Sequence, residues 1–191
     1  MAKSTTQILD ANHRLLDWGG QAALVLGGSL FVALCARITL PLPTPVPLTL
    51  QNFGVLLVGL MLGSKRGFAA LLLYLAEGAS GMPVFSIAGV GGIAQLLGPT
   101  GGYLMMYPLV AGLAGFVMER GARSFARAAV AGTLAEIVLF AGGIGWLLLY
   151  THSFSLALRY GLYWFVFAEV IKVMVAAAAA RGWQRLDKTL L

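Results

Sequence analysis

Hydrophobic residues run in long blocks along this chain, and the charges fall almost entirely between them. The apolar blocks cover about residues 21–39, 50–63, 67–80, 102–118, 126–150 and 160–180. A helix that crosses the hydrocarbon core of a bilayer needs roughly 20 predominantly apolar residues. The pattern therefore predicts an all-α integral membrane protein with six transmembrane helices. The second and third blocks are shorter than a straight span wants, and only Gly63-Ser64-Lys65-Arg66-Gly67 divides them, so a tight turn at the headgroup level is expected there. Gly142, Gly143 and Gly145 predict a break or bend near the end of the fifth helix.

The first 19 residues are polar by comparison. Ile8, Leu9, Leu15, Leu16 and Trp18 supply the apolar side of a short surface helix, but the simpler expectation is a lead-in to the first span with Trp18 among the headgroups. The organisation expected is an N-terminal segment at 1–20, a membrane domain at 21–182 and a tail at 183–191.

Composition agrees with this pattern. Apolar residues make up 59% of the 191 positions and charged residues 10%, with a mean hydropathy of +0.86. A soluble domain has about a quarter of its residues charged, so this chain cannot cover a water-facing surface and takes lipid as its solvent. The first apolar block is read as a retained helix because the chain stays apolar to its end, unlike a secreted product. Leu34, where a lipoprotein cleavage would want a small residue, points the same way. Cys35 is single and offers neither an intrachain disulfide nor a cysteine metal site.

The net charge of +6 does not point to nucleic acid, since there is no long basic run and no polar face interleaved with aromatics. It reports topology instead. Lys3, Arg14, Lys65, Arg66, Arg120, Arg123, Arg127, Arg181, Arg185 and Lys188 lie on one side of the six-span arrangement. They are ten of the 13 Lys and Arg. Arg37 and Arg159 lie on the other side, and Lys172 lies inside a span. An excess of Lys and Arg marks the cytoplasmic side, so both termini are expected there, in the cell membrane.

Two outer connections are unlike ordinary loops. Pro41-Leu-Pro-Thr-Pro-Val-Pro47 is stiff and cannot be helical. Residues 81–102 contain Gly89-Val-Gly-Gly92 and Gly98-Pro-Thr-Gly-Gly102. Both connections are too apolar to wave in water. Irregular backbone near a membrane is tolerated where protein buries it or where it lines a cavity, so these loops are expected to fold back and close a pocket on the outer face.

Ionisable groups within the spans are Glu77, Glu136, Glu169 and Lys172. Each is costly, at about 2.5–3.5 kcal/mol for Lys or Asp at a helix centre on insertion scales, so each needs a partner or a purpose. Glu169 and Lys172, three apart, share a helix face. Counted from Arg159, Glu169 lies about 15 Å into the membrane at 1.5 Å per residue, which puts the pair in the outer half. They are either an ion pair fixing helix packing, or a site where Lys172 takes an anionic group and Glu169 accepts ligand N–H groups. Glu77 reads as an interfacial carboxylate and Glu136 as a polar tie between helices. Gln51 and Tyr74 are candidates to face the pocket. Ala23, Gly27, Ser29 and Ala33, near one face of the first span, permit close helix approach.

Motifs for chemistry are missing. There is no G-x-x-x-x-G-K-[ST] for ATP, no H-E-x-x-H and no G-x-S-x-G. His13 and His152 lie at opposite ends of the topology. No enzyme is expected, and nothing calls for a cofactor.

Pro41-Leu-Pro-Thr-Pro-Val-Pro-Leu-Thr-Leu-Gln51, Leu62-Gly-Ser-Lys-Arg-Gly67, Gly81-Met-Pro-Val-Phe85, Leu97-Gly-Pro-Thr-Gly-Gly-Tyr103 and Glu169-x-x-Lys172 together resemble the BioY family. These are the biotin-specific S components of energy-coupling factor (ECF) transporters. The resemblance runs in order from about residue 24 to 180. It implies an S-component-like bundle whose outer loops 1 and 3 cap a substrate pocket, with biotin as the ligand. It further implies a transmembrane coupling protein of the EcfT or BioN type and ATP-binding subunits of the EcfA or BioM type. Lys172 matches the family's helix-six lysine, and Glu169 stands where relatives usually carry Asp. Gln51, Tyr74, Val90, Gly91 and Tyr103 match segments that line such pockets, and Val90 stands where some relatives are polar. The first-helix small residues resemble the surface that meets the coupling protein. Two rivals stand beside this reading: an S component for another vitamin-like ligand, and a membrane scaffold in which Glu169 and Lys172 only lock helices.

Overall fold

The computed structural model describes the backbone of residues 5–190 and the side chains of residues 18–182. Helix α1 runs from Thr5 to Cys35 without interruption, so the lead-in and the first apolar block are one helix, which ends before residue 39. Trp18 is exposed. The side chains of Ile8, Leu9, Leu15 and Leu16, and those of the tail at 183–191, lie outside the described residues.

Past α1 the all-helical expectation gains a small hairpin. Strand β1 (Thr39–Leu40) pairs antiparallel with β2 (Leu48–Thr49), Thr39 opposite Thr49. The proline-rich segment forms the loop between them. Prolines have no N–H to donate, so pairing is confined to the four residues that flank them.

Helices α2 (Gln51–Leu62) and α3 (Ser64–Ala79) follow, separated by Gly63 alone. The expected five-residue turn is thus a single residue. Gly63 has φ +85° and ψ 179°, a conformation open to glycine and strained for other residues. What permits so abrupt a turn is a carboxylate from another helix. The Ser64 N–H donates to Glu119 Oε1 at 2.8 Å and the Ser64 hydroxyl to Oε2 at 2.7 Å. Glu119 so satisfies an orphan N–H of α3 and sets negative charge at the positive end of the helix.

The connection from residue 81 is irregular as far as Gly91 and then forms a short helix, α4 (Gly92–Leu97), which the sequence pattern did not announce. Helix α5 spans Gly101–Glu119 and α6 spans Phe125–Thr151. The glycines of α6 do not break it. Side chains added at Gly142 and Gly143 would collide with Met106 and Tyr103 of α5, so these glycines let two helices approach closely. The last apolar block is segmented and starts earlier than residue 160. It comprises α7 (Phe154–Leu158), a π-helical turn at Arg159–Tyr163 and α8 (Val166–Leu190).

The core lies where α2, α3 and α5 meet, around Val55, Leu56, Leu71, Tyr74, Val110 and Ala114, all fully buried. The small residues of α1 do not form one face. Ala23 and Gly27 line an outward groove with Leu57 and Val58, whereas Ser29 and Ala33 are buried. At 3.6 residues per turn, positions 23 and 27 share one side and 29 and 33 the other.

Among the described residues, four stretches are long and apolar enough to cross a membrane: Trp18–Cys35, Gly101–Glu119, Phe125–Thr151 and Phe154–Gly182. Helix α2 is apolar but has 12 residues, about 18 Å at 1.5 Å each. Leu26, Leu30, Leu34, Leu149, Phe167 and Val170 are exposed on the outside of the bundle. An apolar exterior around buried carboxylates inverts the order of a soluble domain.

Candidate functional site

The buried charges converge on the start of α2. Lys172 donates to Glu169 Oε1 at 2.7 Å, forming the ion pair expected from their spacing, and also to the Thr49 carbonyl of β2 at 2.7 Å. An ammonium has three N–H donors, so one remains after these two contacts among the described residues. The other Glu169 oxygen accepts from Asn52 Nδ2 at 2.8 Å. The same Nδ2 donates to Glu136 Oε1 at 2.6 Å. One amide from α2 therefore holds a carboxylate of α6 and a carboxylate of α8. Glu136 is a polar tie between helices, and Asn52 is its other end.

Gln51 and Asn52 are neighbours on α2 and point about 100° apart, so they serve different partners. Gln51 Nε2 donates to the Tyr74 hydroxyl at 2.7 Å, which donates to the Val84 carbonyl at 2.9 Å. This chain links α2, α3 and the third connection. Tyr103 donates to the Gly161 carbonyl at 2.7 Å, taking an acceptor in the π-helical turn. The first and third connections meet through the Thr39 and Ser86 hydroxyls, 2.9 Å apart. Trp146 holds the third connection to α6 by donating to the Gly98 carbonyl at 2.8 Å.

Several of these groups line a cavity of about 60 Å³ between the connections and the helices. Its lining includes Val46 and Pro47 from the first connection, Ser86, Gln95 and Thr100 from the third, and Gln51, Asn52, Tyr103, Tyr107, Glu169 and Lys172 from the helices. Tyr74 lies behind Gln51, fully buried. Val90 and Gly91 lie elsewhere. Val90 is 82% exposed, and both line a surface recess with Arg37 and Met82. The Gly91 N–H reaches the site indirectly, through Gln95 Oε1 at 3.1 Å. Glu77 is outside too, hydrogen-bonded by the Ser29 hydroxyl.

Sequence reasoning missed Asn52, Gln95 and Tyr107. The signal for Asn52 was present, since an amide inside an apolar span needs a partner as a carboxylate does. A larger concavity, about 720 Å³, opens between α3 and α5. It is lined mainly by Phe68, Leu109, Leu113 and Phe116 and suits hydrocarbon. The small cavity carries the polar chemistry.

Fold and site together define a multi-pass membrane protein with a charged, hydrogen-bonded site among its helices. The chain belongs to the BioY family, whose model matches residues 7–189. It is 37% identical over 175 residues to the biotin transporter BioY of Thermotoga maritima, covering 92% of this chain and 98% of that one. It is 39% identical over 160 residues to a BioY protein of Pyrococcus horikoshii, covering 82% and 93%. The fold matches the crystal structure of the S-component for biotin from an ECF-type ABC transporter. The TM-score is 0.78 and the coverage 96% and 95%, at 23% sequence identity.

Proposed function

We propose that this chain is a high-affinity biotin-binding S component of an ECF-type vitamin uptake transporter. Membership of the BioY family across almost the whole chain carries the proposal, and the site supplies matching chemistry. Biotin presents a carboxylate, a ureido group with two N–H donors and a carbonyl, and an apolar sulfur ring. Lys172 has an N–H to offer a carboxylate. Asn52 Oδ1 is a buried acceptor without a partner among the described residues, fit for a ligand N–H. Tyr103, Tyr107, Phe140 and Phe165 give apolar walls. Gln51 lines the site directly, with Tyr74 behind it. Val90 and Gly91 contribute through the loop they shape.

In this reading the domain at 21–182 crosses the cell membrane six times, the short α2 and α3 counting as spans packed between α1 and α5. Both termini are cytoplasmic, as the basic residues argue. Outer loops 1 and 3 cap the site, a role supported by the lining residues they contribute. Small-molecule sites occupy roughly 300–1,000 Å³, so a ligand reaches this cavity by displacing the loops or the aromatic walls. Energy comes from a transmembrane coupling protein and ATP-binding subunits.

Calorimetry on the chain purified in detergent tests the proposal, with biotin and unrelated vitamins as titrants. Saturable heat with biotin alone is expected. No heat with biotin, or equal responses to several vitamins, overturns it.

A further inference from the structure

Glu136 is not needed by the proposed contacts to biotin, yet it is buried in a membrane helix with only 7% of its surface exposed. Its Oε1 is held by Asn52, while Oε2 has no hydrogen-bond partner among the described residues. Asn52, 4% exposed, likewise keeps Oδ1 without a partner. Two buried acceptors thus stand on either side of one hydrogen bond. Reversing the Asn52 amide would turn its oxygen toward both carboxylates, so the donor assignment is fixed by charge.

The charges around them do not balance. The small cavity, and a groove of about 240 Å³ between α6 and α8, are lined by three ionisable acid or base side chains: Glu136, Glu169 and Lys172. Lys172 is committed to Glu169. Tyr103 and Tyr107 of α5 also line the cavity and are neutral. Arg159, Tyr160 and Tyr163 of the π-helical turn, which packs on α6, line neither space. With both carboxylates ionised, the cluster holds one uncompensated negative charge in a low-dielectric interior, where an unpaired charge is strongly disfavoured.

We infer that Glu136 is the binding site for one monovalent positive charge, a proton or a sodium ion, held at its Oε2. The bound charge neutralises the cluster that joins α2, α6 and α8. Glu136 also lines the groove between α6 and α8 together with Thr133, Val166 and Met174. A proton forms an O–H on Oε2. A sodium ion takes Oε2 as an oxygen ligand. Both place the same charge at the same atom, and two measurements distinguish them.

Infrared difference spectra of wild type and Glu136→Gln, in detergent at neutral pH without ligand, test the proton. A protonated-carboxyl band present in wild type and lost in the variant identifies it. Thermal unfolding at fixed ionic strength, with sodium exchanged for N-methylglucamine, tests the ion. A melting temperature that rises with sodium in wild type but not in Glu136→Gln identifies it. Wild type showing neither the band nor the sodium response overturns the inference, even if the variant does not fold. Neither measurement uses biotin, so failure here is separate from failure of the proposed function.

Discussion

Lys172, on the last helix, donates an ammonium N–H to the carbonyl of Thr49 at 2.7 Å, so the cation of the site also tethers the hairpin above it. Lys172→Ala should therefore act twice. If Lys172 binds the biotin carboxylate, loss of a charged hydrogen bond, about 1.5–3 kcal/mol, weakens binding more than tenfold. It also leaves Glu169 as a buried charge without its cation, which costs about 3–5 kcal/mol of stability. Calorimetry and thermal melts separate the two. The double variant Lys172→Met with Glu169→Gln should recover most of the stability and none of the affinity. Unchanged affinity in Lys172→Ala would return the lysine to a purely structural role.

Asn52 gives a complementary test. Its Nδ2 serves Glu136 and Glu169 at once, so Asn52→Leu strips a donor from both carboxylates. The expected loss is about 3 kcal/mol, at the strong end for one bond to a charged group, since each is worth roughly 1.5–3 kcal/mol. Adding Glu136→Gln should change that loss non-additively, because the two side chains share a hydrogen bond. Denaturant or thermal unfolding in detergent reads the cycle. Strict additivity would mean that Asn52 does not couple the helices.

Much of the site was legible because charge is rare here. Glu169 and Lys172 stood out in an apolar helix, and their i, i+3 spacing already put them in contact. The proline-rich segment was legible as non-helical for want of N–H groups. The hairpin was not, because two-residue strands carry no periodicity. Asn52 and Gln95 were missed for a related reason. Amides do not register in a search for charges, and their partners lie far off in sequence, 117 residues in the case of Asn52 and Glu169. Glycine was the most ambiguous signal. At Gly63 it makes a turn. At Gly142 and Gly143 the same residue permits close packing inside an unbroken helix, and only the neighbouring helix decides between the two.

Gly59 makes that second role testable. A Cβ there would stand 2.5 Å from the carbonyl oxygen of Ala111, a backbone atom that cannot move aside without shifting α5. Gly59→Ala should cost about 1–3 kcal/mol through overpacking, a larger effect than its gain in helix propensity of roughly 1 kcal/mol. Melting temperature and expression in the membrane are the readouts. A stabilised variant would show that α2 and α5 can separate freely.

Gly27 offers the opposite case and tests the partner surface. A side chain added there meets nothing within 4 Å, and the residue lines an outward groove with Ala23, Leu57 and Val58. In the proposed assembly that groove receives the coupling protein, where small residues let helices approach closely. Gly27→Leu should leave melting temperature and biotin affinity unchanged, since the site around Lys172 draws nothing from this face. Energised uptake by cells that also carry the coupling and ATP-binding subunits should fall severalfold. Uptake at the wild-type level would move the docking surface to another face of the bundle. Loss of biotin binding would mean that α1 communicates with the site through the contacts of Ser29 and Ala33 on its buried side.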